Sequence, residues 1–177
     1  MNKKIYKLIN DLYFEHDLRE EDLVYILDNM DSEDVDYLLG LAYNTRNNHY
    51  GKAVYLRGLI EFSNYCKREC KYCGINTFNR DVKRYRMTKK EIVDTCKEGY
   101  KLGFRTFVLQ GGEDPYFTDK RICDIVKAVK KLFPDVAITL SLGERPIESY
   151  RAMKFAGADR FLLRHETSNP GLYRWLH

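Results

Sequence analysis

No run of apolar residues in this sequence approaches the roughly 18 that a membrane-spanning helix requires. The opening Met1-Asn2-Lys3-Lys4-Ile5-Tyr6 is followed too soon by Asp11 for a secretory core to form behind its charges. The chain therefore reads as cytoplasmic, with no membrane partner. Proline is scarce, at 4 residues, and glycine stands at 11 of 177, while aromatic residues make up 14% and are spread throughout. That composition excludes collagen-like and low-complexity sequence and argues against disorder. An excess of one charge is nearly missing too: 30 Lys and Arg against 26 Asp and Glu leave a net +4. A nucleic-acid binder gathers its cations on one face, so this small surplus predicts a mixed solvated surface and no nucleic-acid partner. Cysteine is the last scarcity. Five residues, an odd number, make a poor disulfide framework in a chain without a secretory signal, so a close cluster points to metal binding or chemistry.

What is present divides the chain in two. Residues 1–50 form a helical extension: Asp17-Leu18-Arg19-Glu20 has the form of a capping box ahead of Leu23, Ile26, Leu27 and Met30 at helical spacing. Asp31 or Ser32 can cap a second helix carrying Val35, Leu38, Leu39 and Tyr43. In residues 51–177, strands alternate with helices, the signature of βα units feeding a parallel sheet. The predicted strands are Val54 to Phe62, Thr106 to Gln110, Val136 to Leu142, and a short one at Phe161-Leu162-Leu163. Between them, Thr88-Lys89-Lys90-Glu91 caps one helix, a second carries Ile122, Cys123, Ile125, Val126 and Val129, and Pro146 opens a third that ends at Gly157. The predicted class is α/β: about four strands, the first half of a (β/α)8 barrel, preceded by short N-terminal helices. Four parallel strands cannot close such a barrel, and an open half leaves its last strand unpaired. The remaining strands are expected to lie outside this sequence or to come from another chain.

Three of the five cysteines, Cys66, Cys70 and Cys73, form C-x3-C-x2-C in the loop after the first strand. A structural zinc site takes four protein ligands, and iron–sulfur cubanes are usually held by four thiolates. Three leaves an open coordination position, which chemistry needs and a structural site does not. Spacing alone leaves three readings: a catalytic iron–sulfur cluster, a structural zinc with His49 or His165 as fourth ligand, or reduced thiols without metal. Cys96 and Cys123 fall on apolar helical faces and read as core residues.

The other candidates each have an ordinary reading. Gly111-Gly112-Glu113 can be a plain βα turn, and Ser141 a buried hydroxyl bonded to backbone. Glu166 can be a solvated loop acid, and His165 a hydrogen-bonded loop residue. Thr139 and Ser141, two apart on a strand, share a face. Arg164, at the end of the last strand, is costly to turn inward unless it meets an anion, either Glu166 or a carboxylate-bearing substrate. Arg84 and Arg86 read as a solvated basic run.

Taken together these segments resemble the radical S-adenosylmethionine (SAM) enzymes, whose signature is C-x3-C-x-aromatic-C after the first strand. Within them the sequence resembles the [FeFe]-hydrogenase maturase family of the biotin synthase-like branch. The resemblance is carried by Arg57 to Cys66, Lys83 to Thr88, Val108 to Pro115, Thr139 to Glu144 and Leu163 to Thr167. It implies a [4Fe–4S] cluster on Cys66, Cys70 and Cys73, with SAM chelating the open iron and cleaved by one electron to methionine and a 5′-deoxyadenosyl radical. It implies SAM contacts at Tyr72, beside the adenine, at Gln110, Gly111, Gly112 and Glu113, whose loop meets the methionyl amino group, at Ser141, and at Glu166 on the ribose hydroxyls. Thr139 and Arg164 are implied substrate contacts. The partners implied are a small carboxylate-bearing substrate, an electron donor and other hydrogenase maturation proteins. Alternatives are a methylornithine synthase-like or biotin synthase-like enzyme, or a non-catalytic iron–sulfur or zinc module.

Overall fold

The computed structural model describes residues 2–177, which fall into two compact units that meet in sequence between Tyr55 and Leu56. The first holds three helices: α1 (Lys3–Glu15), α2 (Glu20–Asn29) and α3 (Ser32–Tyr50). Helix α1 is one more than the sequence reading gave, although Ile5, Leu8 and Ile9 recur at helical spacing. The Asn2 side chain caps it by accepting from the Lys4 N–H, and those three residues pack with Ile26 in a small core. The capping box expected at Asp17 does not form, because α2 begins at Glu20 behind Arg19, which makes no side-chain cap. The box at Asp31 does form. Its carboxylate accepts from the Asp34 N–H at 2.9 Å, and the buried Asp34 carboxylate accepts from the Asp31 N–H at 3.4 Å.

The second unit is α/β. Its parallel strands β1 (Gly58–Ser63), β2 (Thr106–Gly111), β3 (Ala137–Ser141) and β4 (Arg160–Phe161) lie in sequence order. They are linked by α4 (Lys89–Lys101), α5 (Asp119–Leu132) and α6 (Ile147–Ala156), and α7 (Pro170–Leu176) follows β4. The four-stranded parallel arrangement is the one the sequence predicts. The first strand, however, starts at Gly58 and not at Val54. Pairing with β2 begins at Gly58 opposite Phe107, and Val54, Tyr55 and Leu56, with no strand pairing among the described residues, are exposed. Strand propensity needs a neighbour to act on.

Alternation along the strands sorts their side chains between two faces. Ile60, Phe62, Phe107, Leu109, Ile138 and Leu140 point toward the helices, where they join Ile92 and Cys96 of α4, Ile122, Val126 and Val129 of α5, and Met153 of α6. The opposite face carries Glu61, Gln110 and Ser141 in register across three strands, with Leu59, Val108 and Thr139 one step before them. A closed barrel turns that face inward. The loops at the C-terminal ends of the strands open above it, where barrel enzymes build their sites.

The Phe107 ring is gripped between Gly58 on the neighbouring strand and Gly99 in α4. A Cβ on Gly99 would lie 2.6 Å from the ring. Alanine at this helical position gains about 1 kcal/mol of propensity, but overfilling a packed core costs about 1–3 kcal/mol. Phe107 is only 1% exposed and has nowhere to retreat. Gly99→Ala is therefore expected to lower the urea unfolding midpoint, and a raised midpoint would show that the ring has room to shift.

Candidate active site

The loop between β1 and α4 carries Cys66, Cys70 and Cys73, all free and partly exposed, on the wall of a cavity of about 570 Å³. Tyr72, Gln110, Gly111, Gly112 and Glu113 line the same cavity, and Ser141, Arg164 and Glu166 complete it from β3 and the segment after β4. Thr139 is the predicted site residue that does not line it. It lies deeper on the same sheet face, 4% exposed, and its hydroxyl finds no hydrogen-bond partner among the described residues. A separate groove of about 770 Å³ in the helical unit is walled by Lys7–Asp11 and Arg19–Asp22 ion pairs, each at 2.8 Å, whose charges are already matched to one another.

The glycine-rich loop is held against the cysteine loop. The Lys67 N–H donates to the Glu113 carbonyl at 3.1 Å, and the Gly112 N–H donates to the Ser63 carbonyl at 3.4 Å. A Cβ on Gly112 would sit 2.3 Å from the Tyr65 carbonyl oxygen and 2.7 Å from Cys66 Cβ. Gly112 does not have a positive φ. Glycine is required there because the cysteine loop occupies the space a side chain would take. The Glu113 carboxylate is engaged by Arg68 Nε at 2.8 Å and Lys67 Nζ at 3.5 Å, and it accepts from the Glu144 N–H at 3.2 Å. Arg68 also donates to Glu144 at 2.9 Å, and its hydrogen bond to Glu113 raises its already high pKa.

The two arginines expected to form a solvated basic run both have specific partners, although Arg86 stays partly exposed. Arg86 forms a fork on Asp114, Nε to Oδ2 at 2.7 Å and Nη2 to Oδ1 at 2.9 Å, and its guanidinium stacks 3.8 Å from the Tyr65 ring. Asp114 also accepts from the Ser63 hydroxyl at 2.7 Å and the Tyr116 N–H at 3.0 Å. Burial pushes the Asp114 pKa up, but the bonds from Arg86, Ser63 and Tyr116 outweigh it and leave the group below the usual carboxylate range. Among the described residues Arg84 donates to main-chain carbonyls of the cysteine loop and to no side chain. Neither role leaves a mark in the sequence, because the partners are a distant acid and backbone oxygens. Both arginines are delivered by residues 83–87, which run back along the end of β1, with Ser63 bridged to Arg86 and the Met87 N–H donating to the Phe62 carbonyl at 2.7 Å.

Around the rest of the cavity, Glu166 has φ 62, in the left-handed region that a residue of its type seldom enters. Arg164 is exposed and pairs with no carboxylate among the described residues. The Tyr72 hydroxyl lies 2.8 Å from His177 Nε2. Cys96 is fully buried, whereas Cys123 is only partly so and packs on the edge of the core.

A tetrahedral zinc site brings four ligand atoms to about 2.0–2.3 Å of one ion. Among the described residues no three His, Cys, Asp or Glu side chains converge in that way. His49 is bonded to the Thr45 carbonyl of its own helix, and His165 does not line the cavity. Three thiols spread along one wall of a roomy cavity are instead a donor set that fits a multi-iron cluster, in which each thiolate takes a different iron.

Residues 60–177, from within β1 through α7, match the radical SAM superfamily. The chain belongs to that superfamily. Radical SAM proteins use a [4Fe–4S] cluster and SAM. The chain is 52% identical over 139 residues to the [FeFe] hydrogenase maturase subunit HydE of Thermotoga maritima, an alignment covering 78% of this chain and 39% of that protein. It is 34% identical to 3-methylornithine synthase of Methanosarcina acetivorans, over 90% of this chain and 45% of that protein. The crystal structure of methylornithine synthase (PylB) superposes with a TM-score of 0.83 at 32% identity, covering 96% of this chain and 50% of that one. The maturase HydG superposes with a TM-score of 0.88 over 99% of this chain and 40% of that one, at 21% identity, a likeness of fold. The chain thus spans less than half the length of the curated relatives it matches. No helix among the described residues is long and apolar enough to cross a membrane.

Proposed function

We propose that this chain is the cluster- and SAM-binding part of a radical SAM enzyme acting in [FeFe]-hydrogenase maturation on a small carboxylate-bearing substrate. The observation that carries the reading is the convergence on one cavity of three thiols, a glycine loop, Ser141 of β3, and Arg164 and Glu166 from the segment after β4. When bound, the cluster and SAM supply a 5′-deoxyadenosyl radical. The protein's own residues then have distinct tasks. Cys66, Cys70 and Cys73 anchor the cluster, and the Gly111–Glu113 loop, with Tyr72 and Gln110 beside it, shapes the SAM wall. Ser141 offers a hydroxyl to SAM from β3. Glu166, held in an unfavourable backbone region that costs about 1–3 kcal/mol, presents a carboxylate suited to accept from ribose hydroxyls. Arg164 keeps a cation with no carboxylate partner among the described residues for a substrate carboxylate, and Thr139 contributes a hydroxyl with no hydrogen-bond partner among them, deeper on the same sheet face. The 52% identity to the HydE subunit supports hydrogenase maturation, with an electron donor and other maturation proteins as partners. The match to methylornithine synthase over 90% of the chain supports a second reading, an enzyme of that kind on the same site.

Anaerobic reconstitution with iron and sulfide tests the shared part. We expect a brown protein whose reduced paramagnetic signal shifts when SAM is added, and whose iron is lost in Cys70→Ala. A colourless protein holding one tight zinc ion would point to a non-catalytic module and overturn the reading.

A further inference from the structure

The segment from Asn64 to Thr88 contains no helix and no named strand, yet the main chain on both sides of its thiols meets at one side chain. Arg84 Nη1 donates to the carbonyls of Asn64 and of Ile75, the latter at 2.9 Å. Its Nη2 donates to the carbonyls of Asn76 at 2.7 Å and Asn79 at 2.9 Å. Asn64 stands just before Tyr65-Cys66, while Ile75 and Asn76 follow closely on Cys73. A single guanidinium therefore bridges the chain entering the cysteine motif and the chain leaving it.

Asn64 reinforces the bridge from its own side. Its amide Nδ2 donates to the Lys83 carbonyl at 2.9 Å, and its Oδ1 accepts from the Tyr85 N–H at 2.7 Å, which brackets Arg84 on both sides. No carboxylate among the described residues pairs with Arg84, so its charge is met by carbonyl dipoles alone. Guanidinium suits this task. It offers five donors in one plane and stays protonated at any working pH, whereas a lysine ammonium is a point with three rotatable donors that cannot span four fixed carbonyls.

We propose that Arg84 is a positioning residue that pre-shapes the Cys66–Cys73 loop, holding its first and last thiols at a fixed separation before any iron arrives. It bonds to no thiol, and it acts through the backbone. The proposal rests on the reading of the three cysteines as cluster anchors, but the shape of the loop can be measured without metal.

The test is residue-resolved alkylation of the metal-free full chain with iodoacetamide, read by mass spectrometry. Charged hydrogen bonds of this kind hold a segment closed strongly enough that Arg84→Gln should alkylate Cys66 and Cys73 about tenfold faster than the parent chain. Cys96, which is 0% exposed, serves as the internal control and should stay protected. Arg84→Lys, which keeps the charge and loses the fork, should behave like Arg84→Gln. Unchanged rates at Cys66 and Cys73 in Arg84→Gln would overturn the proposal, as would Arg84→Lys labelling like the parent. Release of Cys96 together with the loop thiols would also overturn it, since Arg84 would then support the fold at large. Iron uptake by the parent chain is scored separately: its failure defeats the cluster reading, while the alkylation rates still decide what Arg84 does.

Discussion

Gly112→Ala is expected to leave the helix-covered sheet folded while stripping the cysteine loop of most of its iron. The added Cβ would lie 2.3 Å from the Tyr65 carbonyl oxygen, 2.7 Å from Cys66 Cβ and 3.0 Å from the Tyr65 carbonyl carbon. Favourable non-bonded carbon contacts lie at about 3.5–4.0 Å, so something must move by roughly an ångström. No flexible side-chain end is available to give way, because the clashing atoms are backbone and the Cβ of a thiol residue. Nor can the loop swing freely. The Lys67 N–H to Glu113 carbonyl bond and the Arg68–Glu113 ion pair fasten it to Glu113, the immediate neighbour of the residue that would be pushing it away. Overpacking of this type costs about 1–3 kcal/mol, a fall of a few degrees in Tm for a chain of this size. The effect on metal is larger, because ligand distances tolerate only about 0.2 Å of error. Iron bound after anaerobic reconstitution should drop to about a third of the parent's or less. Gly111→Ala is the control: its Cβ would meet the Phe62 ring at 3.3 Å and the Ser63 carbonyl at 3.4 Å, contacts a small adjustment relieves. Full iron in Gly112→Ala would mean that the two loops are not in fixed register.

Periodicity and motif spacing were enough to place the sheet, its helices and the thiol loop, because each depends on local chemistry. Thr88 and Glu91 cap α4 reciprocally, and Ile122, Val126 and Val129 pack one face of α5. Of the residues lining the cavity, the three thiols stood out as a dense motif, and Tyr72, Gln110, Ser141 and Glu166 were expected from the family resemblance, whereas Glu61, Arg68, Glu144 and Tyr173, which also line it, were not among the expected site residues. What the sequence did not disclose depends on partners far along the chain. Asp114 is separated from Ser63 by 51 positions and from Arg86 by 28. Arg84 serves carbonyls, which every residue possesses and no sequence singles out. The reason for Gly112 was hidden as well. A glycine after a strand suggests an unusual φ, whereas here the space is claimed by a loop some 46 residues earlier in the chain. The N-terminal capping box failed on the same ground. Asp17 is followed at the right interval by Glu20, but the helix takes Glu20 as its first residue and packs Ile26 against Ile5, Leu8 and Ile9 of α1.

Breaking the Arg86–Asp114 pair is expected to give the largest loss of stability in the second unit, and a loss that shrinks in acid. Asp114 is 2% exposed and accepts four hydrogen bonds, two of them from Arg86. Removing one partner of a buried pair costs about 3–5 kcal/mol, since the remaining charge is left desolvated. The Arg86 side chain is 35% exposed, so water can replace part of the interaction and the lower end applies, about 3 kcal/mol for Arg86→Met at neutral pH. In the parent chain the folded Asp114 has a lowered pKa. Its contribution is therefore fully present above the unfolded value of about 4 and is lost as pH falls through the folded value. In Arg86→Met the order reverses. Without the guanidinium, burial dominates, the folded pKa rises above the unfolded one, and protonation in mild acid relieves the stranded charge. Urea unfolding of both proteins at neutral pH and near pH 4 checks this directly. The gap between them should narrow clearly in acid, whereas Arg86→Ala and Arg86→Met should share any loss from the missing stack on Tyr65 at both pH values. A gap independent of pH would show that Arg86 acts by packing on its aromatic neighbours and that Asp114 is not held charged by it.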